Sequence, residues 1–487
     1  MPSPSDRLPA YHPREPKQPP PPIDFTKSLG QHALLLAPPG IGKTQFIQSL
    51  ALKLLEEEHP PSLIILNSQG KMLKNIERLA LFAPGQPLSD RLVIIDPEDD
   101  QAPALNMFAL PTERLSSYSW IVREQLEAST YEIFQYLFTS LASDLTGKQS
   151  TAFQPLITLM LSIPGATFNT FLDILQDVPK DERGKDDPTG ASGKYALFID
   201  GLEDHERGFF RTQYFTPAYT RTRQEIQQRI YRVVNRRGFR RMFASPVNKF
   251  DLFSLINRGS VILVNTSRAW LGDEGSAFFG RWVVSLLIRA AYERVAIERP
   301  RRTFLLIDEA SDYVDQSFEK LLSKVRQFNV GCLMAFQETG QISILKSVMA
   351  MTAVKLCGKV EHQDATVMAP NMHTTPDFLK ALSYKADVEG EFACYVRGVT
   401  ETAIRIKLPY GAVENAPQMT PAQHQALRER NRERYSAPAA PQVPPATPLP
   451  SISKQIPLPA RPTSEPPAPE PEKKINLDKP PDTDRKW

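Results

Sequence analysis

Ala33-Leu-Leu-Leu-Ala-Pro-Pro-Gly-Ile-Gly-Lys-Thr44 decides how this chain is read. Four apolar residues make one short buried strand, Pro38-Pro-Gly40 turns the chain, and a helical pattern runs from Gln45 to Glu58. Strand, glycine loop and helix in that order form a phosphate cradle, the P-loop. Gly40 and Gly42 let the backbone turn its amides inward, while the helix behind them aims its partial positive charge at the same point. Lys43 is placed to reach the β- and γ-phosphates of ATP, and Thr44 to ligate Mg²⁺. The expected nucleotide contacts are therefore Pro39, Gly40, Ile41, Gly42, Lys43, Thr44 and Gln45. Ala37 stands where the usual pattern has its first glycine; alanine is small, and the phosphate-facing glycines remain.

A phosphoryl-transfer site also needs carboxylates opposite the cradle. Thr303-Phe-Leu-Leu-Ile-Asp-Glu309 delivers two at the end of an apolar run. Asp308 would hold Mg²⁺, and Glu309 would polarise the attacking water as general base. Taken alone, the pair could equally cap the next helix; beside a P-loop, the catalytic role is expected. A further apolar run ends in Phe336-Gln337, whose amide can sense a γ-phosphate or orient water because it both donates and accepts. Between these runs, the amphipathic stretch Phe318 to Phe328 carries Lys324 and Arg326, which without further context are ordinary solvated charges.

Short apolar runs alternate with helical patterns along much of the chain. They are Ala33–Leu36, Leu63–Leu66, Leu92–Ile95, Val261–Val264, Thr303–Ile307 and Gly331–Phe336. The expected fold is α/β, a RecA-like P-loop core with a mostly parallel sheet flanked by helices. Residues 25–111 form its first part and 246–415 its second. Between them, 112–245 reads as a mainly helical insertion, with helices at Glu124 to Leu145 and Glu225 to Val234 and a polar, turn-rich surface loop from Asp181 to Gly193. More than half of the 45 prolines fall in residues 1–24 and in the tail that follows a short helix within 416–487. Both ends are expected to be disordered, because they have little apolar surface to bury.

The chain has 487 residues, 41% apolar and 23% charged, with a net charge of +3, an ordinary globular balance that neither requires nor excludes an anionic partner. Three cysteines, Cys332, Cys357 and Cys394, show no paired spacing and read as reduced core residues. The first 22 residues lack a secretory apolar region. The longest apolar helix candidate, Trp282 to Ala296, is interrupted by Arg289, Glu293 and Arg294, so no transmembrane segment is expected. The expected location is cytoplasmic, extending to peripheral attachment at a membrane secretion complex.

Taken in order, these motifs resemble the HerA and FtsK superfamily of ring-shaped DNA translocases, especially the TraD-like coupling ATPases of conjugation and type IV secretion. The likeness runs from about Gln31 to Leu408. It includes Leu66-Asn-Ser-Gln-Gly-Lys71, Ile95-Asp-Pro97 with Leu105-Asn-Met-Phe108, and Ser260 to Ser267 followed by Leu271-Gly272. Most specific is the order Leu306-Ile-Asp-Glu-Ala310, Val325-Arg-Gln-Phe-Asn-Val-Gly331, Ala335-Phe-Gln337. The resemblance implies a homo-hexamer with ATP sites between subunits, Arg326 as a finger entering a neighbour's site, Gln337 as γ-phosphate sensor, and DNA as substrate. Asn67-Ser68 replaces the acidic start of the family's D-P-K-G segment.

For DNA contact, the arginine cluster Arg229, Arg232, Arg236, Arg237, Arg240 and Arg241, with Tyr231 and Phe239 interleaved, combines phosphate binding with base stacking. Helical spacing of the arginines equally suits a wet face. The function expected is an ATP-hydrolysing DNA-translocating motor in conjugative transfer or mobile-element processing, recruited by secretion or relaxosome-like proteins. The rival is an ATPase scaffold that energises protein secretion, docking through its proline-rich tails.

Overall fold

The apolar runs pair side by side because each is hydrophobic on both faces and must be covered twice. The computed structural model describes residues 25–109, 112–139 and 146–437; both proline-rich ends and their expected disorder lie outside the described residues. The strands are β1 Ala33–Leu36, β2 Ser62–Asn67, β3 Leu92–Ile95, β4 Val261–Asn265, β5 Thr303–Ile307, β6 Val330–Phe336, β7 Val354–Cys357, β8 Tyr384–Lys385, β9 Glu389–Val396 and β10 Ile404–Pro409. Their order is β10-β9-β7-β1-β6-β5-β2-β4-β3, with β8 paired to β9. From β7 to β3 the pairing is parallel. At the other end β9 lies antiparallel to β7, β8 and β10. The sheet is thus mostly parallel and flanked by helices, extended beyond the six apolar runs by β7 to β10.

Alternate residues of each strand face opposite sides. Ala33, Leu35, Leu63 and Ile65 pack with Phe46, Ile47, Leu50 and Leu54 of the helix Lys43–Leu55. On the other face, Leu34, Leu36, Ile64 and Leu66 join a core that includes Phe168, Phe171, Phe278 and Trp282. Between Thr112 and Phe243 the described regular elements are all helical, and their aromatic residues enter this second core. Phe239 stacks on Phe243 at 4.5 Å between ring centroids, and Phe168 meets Phe278 edge-on at 6.1 Å. Phe278 belongs to the helical run Arg268–Glu293, which breaks at Gly272 with φ 71° and ψ 171°, a conformation that favours glycine.

Register brings the functional ends together. Leu36 pairs with Phe336, Met334 with Ile307, and Ile307 with Leu66, so the segments that follow β1, β2, β5 and β6 emerge along one edge of the sheet. The lateral edge at β3 is closed by the helix Pro421–Tyr435: Asn431 accepts from the Ile94 amide at 2.9 Å and donates to the Ile94 carbonyl at 2.8 Å. Arg428 of the same helix ties to Glu77 and Asp99 at 2.7 and 3.1 Å. The three cysteines are buried and unbridged. Among the described residues no helix is long and apolar enough to cross a membrane.

Candidate functional site

After β1 the chain bends through Gly40 (φ 82°) and Gly42 (φ 95°) and enters the helix Lys43–Leu55. Both glycines occupy the left-handed region that side chains resist. Gly42 has a second reason to lack one, since a Cβ there would lie 2.2 Å from the Tyr410 hydroxyl. Four N–H groups in the first turn of a helix have no acceptor inside it, so this helix start offers donors and a partial positive charge to an anion.

Asp308 leaves β5 directly opposite. Its Oδ2 accepts from the Thr44 hydroxyl at 3.3 Å and the Asn67 amide at 3.1 Å, and its Oδ1 lies 3.6 Å from the Lys43 ammonium. Burial pushes this carboxyl above the usual carboxylate range and neighbouring Glu309 adds to the shift, while Lys43 and the two hydrogen bonds oppose it. Asn67 carries the structural job that an acid would do poorly beside Asp308: its amide nitrogen donates to that carboxylate, while its oxygen accepts from the Gly70 and Gln69 amides at 2.6 and 3.1 Å.

Glu309 follows at φ 61°, a strained position for a residue with a side chain. Its carboxylate accepts from Ser68 at 3.2 Å, Gln69 at 3.3 Å and the Gln337 amide at 3.3 Å. Arg268 stands 3.7 Å away and 2.6 Å from Asp312. Gln337, at the end of β6, is oriented in turn by Gln341, whose side chain accepts from the Gln337 amide N–H at 3.1 Å. Lys43, Thr44, Asp308, Glu309 and Gln337 thus line one cleft of about 640 Å³, together with Pro39, Gly40, Gly42 and Gln45.

The cleft has a wall that the sequence motifs do not announce. Tyr410 donates to the Ile41 carbonyl at 2.8 Å, the Gly411 amide donates to Gln45 at 2.8 Å, and Gln45 donates to Glu414 at 3.1 Å. Ala386 and Asp387, from the turn between β8 and β9, complete that side.

Arg326 lies elsewhere. It is exposed just ahead of β6, whereas Gln337 follows the end of that strand. Seven residues at about 3.3 Å each put roughly 20 Å between them, so Arg326 does not enter the cleft of its own chain. Arg232, Arg236, Arg237 and Arg240 are exposed and also apart from the cleft. The interleaved aromatics differ from the expectation: Phe239 is fully buried and unavailable for base stacking, and Tyr231 is half-buried, accepting from Gln176 at 2.7 Å. Arg241 is spent on the Asp99 carbonyl at 2.9 Å.

No family model and no curated protein matches the chain. Solved structures do. The plasmid coupling protein TrwB, in complex with a non-hydrolysable ATP analogue, aligns at 13% identity over 82% of this chain and 89% of that chain, with a TM-score of 0.52. The trigonal form of the bacterial conjugative coupling protein TrwBΔN70 aligns at 13% identity over 82% and 88%, also with a TM-score of 0.52. TrwB in complex with ADP and Mg²⁺ aligns at 14% identity over 81% and 89%, with a TM-score of 0.50. At such identities the likeness is one of fold, and that fold is the RecA-like P-loop core of these coupling proteins.

Proposed function

We propose that this chain is an ATP-hydrolysing motor of the HerA and FtsK superfamily, TraD-like in kind, that translocates DNA in conjugative transfer or a related mobile-element process. One juxtaposition carries it: Thr44 at the start of the P-loop helix touches Asp308 at 3.3 Å, with Glu309 and Gln337 joined beside them. Amides of Gly40 to Thr44 hold the phosphates and Lys43 reaches the β- and γ-groups. Glu309 takes the proton of the attacking water, and Gln337 fixes the carboxylate against the γ-phosphate. Tyr410, Gly411 and Glu414 flank the remainder of the nucleotide.

Mg²⁺ fits the residues present. Asp308 Oδ1 is buried without a hydrogen-bond partner, and the Thr44 hydroxyl sits on the other oxygen, an all-oxygen donor set of the kind this ion takes beside water and phosphate. Bound there, the ion supplies neutralisation of charge on the phosphate oxygens. The crystallised TrwB complexes, with an ATP analogue and with ADP and Mg²⁺, support ATP and Mg²⁺ as the ligands. We place the working form in the cytoplasm as a homo-hexamer, peripheral to a membrane secretion complex, with Arg326 of each subunit entering the next subunit's cleft.

Steady-state ATP hydrolysis with and without DNA, across a salt series, tests the proposal. Stimulation that fades as salt rises is expected, because phosphate contacts release counterions. Hydrolysis indifferent to DNA at every salt overturns translocation and leaves an ATPase scaffold for protein secretion.

A further inference from the structure

Trp270 leaves 43% of its surface exposed in the first turn of the helical run Arg268–Glu293 that follows β4. An isolated apolar residue at the surface is unremarkable; what distinguishes this one is its company. Its backbone packs on Gly238, where an added Cβ would lie 3.2 Å from the Trp270 carbonyl oxygen and 3.6 Å from its Cβ. Gly238 is the second residue of the helix Arg237–Phe243, so the start of that helix packs on the Trp270 backbone, and Arg237 precedes the contact by one residue. Two residues beyond Trp270, a Cβ on Gly272 would lie 3.0 Å from Nε of Arg236. Among the described residues, Arg236, Arg237 and Arg240 form no ion pair with a carboxylate, whereas Arg232 reaches Glu274 at 3.5 Å. The bend at Gly272 and the close fit on Gly238 therefore bring the Arg236 guanidinium within two residues of a partly exposed Trp270, with exposed Arg237 next to Gly238 in the chain.

That combination suits one kind of occupant. Guanidinium groups take phosphates, and an exposed indole stacks on a base only when the base is free of a partner strand. We propose that this face is the single-stranded nucleic-acid contact of the motor, with Trp270 stacking on a base and Arg236 and Arg237 on the flanking phosphates. The inference rests on the motor function proposed above. The contact stands apart from the cleft but is linked to it along the chain, since Arg268, two residues before Trp270, reaches to 3.7 Å from Glu309.

Fluorescence anisotropy of a labelled oligothymidine, titrated with the full chain at several salt concentrations, tests it. Trp270→Ala is expected to bind about five- to 150-fold more weakly with the salt slope unchanged, the effect of one lost base stack. Trp270→Phe should retain most of the affinity, and Arg237→Ala should lower the salt slope by about one. Wild-type affinity in Trp270→Ala overturns the contact. So does a Trp270→Phe variant that falls as far as Trp270→Ala, which marks a fold contact rather than a stack, or an equal Trp270 dependence for a blunt duplex. If the wild-type chain binds no oligonucleotide at any salt, the motor function fails and this contact with it. If it binds, and DNA stimulates hydrolysis while Trp270 is immaterial, the contact alone fails.

Discussion

Glu309 is held from several directions, by Ser68, Gln69, Gln337 and the nearby Arg268, and under the proposed function that anchoring sets where the water's proton is taken. Glutamine keeps the shape but cannot accept the proton. Glu309→Gln should therefore bind ATP and hydrolyse it about 10² to 10⁴ times more slowly, while Lys43→Ala should lose binding itself; normal turnover in both removes the site assignment. His32 gives a different kind of prediction. It is buried, accepts from the Cys332 amide at 3.2 Å, and has its pKa lowered to about 4 from 6.5, first by burial and then by Arg326. A depressed pKa means the folded state binds fewer protons, so this stability is full above the unfolded value and is lost as pH falls toward 4. From about pH 7.5 to about pH 5 the loss should be about 2 kcal/mol. His32→Asn, which suits the φ of 62° at this position, should flatten that part of the pH slope in urea unfolding; an unchanged slope excludes His32 as its source. The P-loop and Asp308-Glu309 were legible because each motif is local. Tyr410 was not, because its partner Ile41 is 369 residues away and no local pattern marks a tyrosine as the wall of a phosphate cradle.

Elements follow the same divide between local and distant causes. Strands β1 to β6 are apolar runs, and burial on both faces is what makes them so. β7 hides behind Lys355, which interrupts its run and keeps its ammonium solvated by the Thr352 carbonyl at 2.8 Å. β10 alternates Ile404, Ile406 and Leu408 with Arg405, Lys407 and Pro409, the period-2 mark of a half-exposed strand, and was recoverable from that pattern. The helix Pro421–Tyr435 could be seen as a helix, but its task could not, since only the sheet order leaves β3 at an edge. An open edge is a template for association, and here the Asn431 side chain satisfies both backbone groups of Ile94. Asn431→Ala leaves that donor and acceptor to water and should cost about 1–3 kcal/mol in urea unfolding. A cost near zero means that the Asn431 contacts with Ile94 add nothing to stability.

At the scale of the whole molecule, the decisive feature is that the cleft and Arg326 face away from each other. All catalytic candidates but one gather after β1, β2, β5 and β6, and the exception sits ahead of β6, beyond reach within its own chain. If subunits form a ring through a heterologous contact, each cleft meets the next chain's opposite edge, and Arg326 then stabilises charge developing on a neighbour's γ-phosphate. Arg326→Ala alone should lower turnover by about 10³- to 10⁵-fold with ATP binding intact. The stronger measurement mixes chains: Arg326→Ala subunits keep a working P-loop, Lys43→Ala subunits keep a working arginine, and neither is active by itself. With random half-and-half assembly in a ring, about one site in four pairs an intact P-loop with an intact arginine, so the mixture should regain hydrolysis that both parents lack. A mixture as inactive as its components, under conditions where the chains demonstrably co-assemble, removes Arg326 from catalysis in trans and with it the reason for a ring.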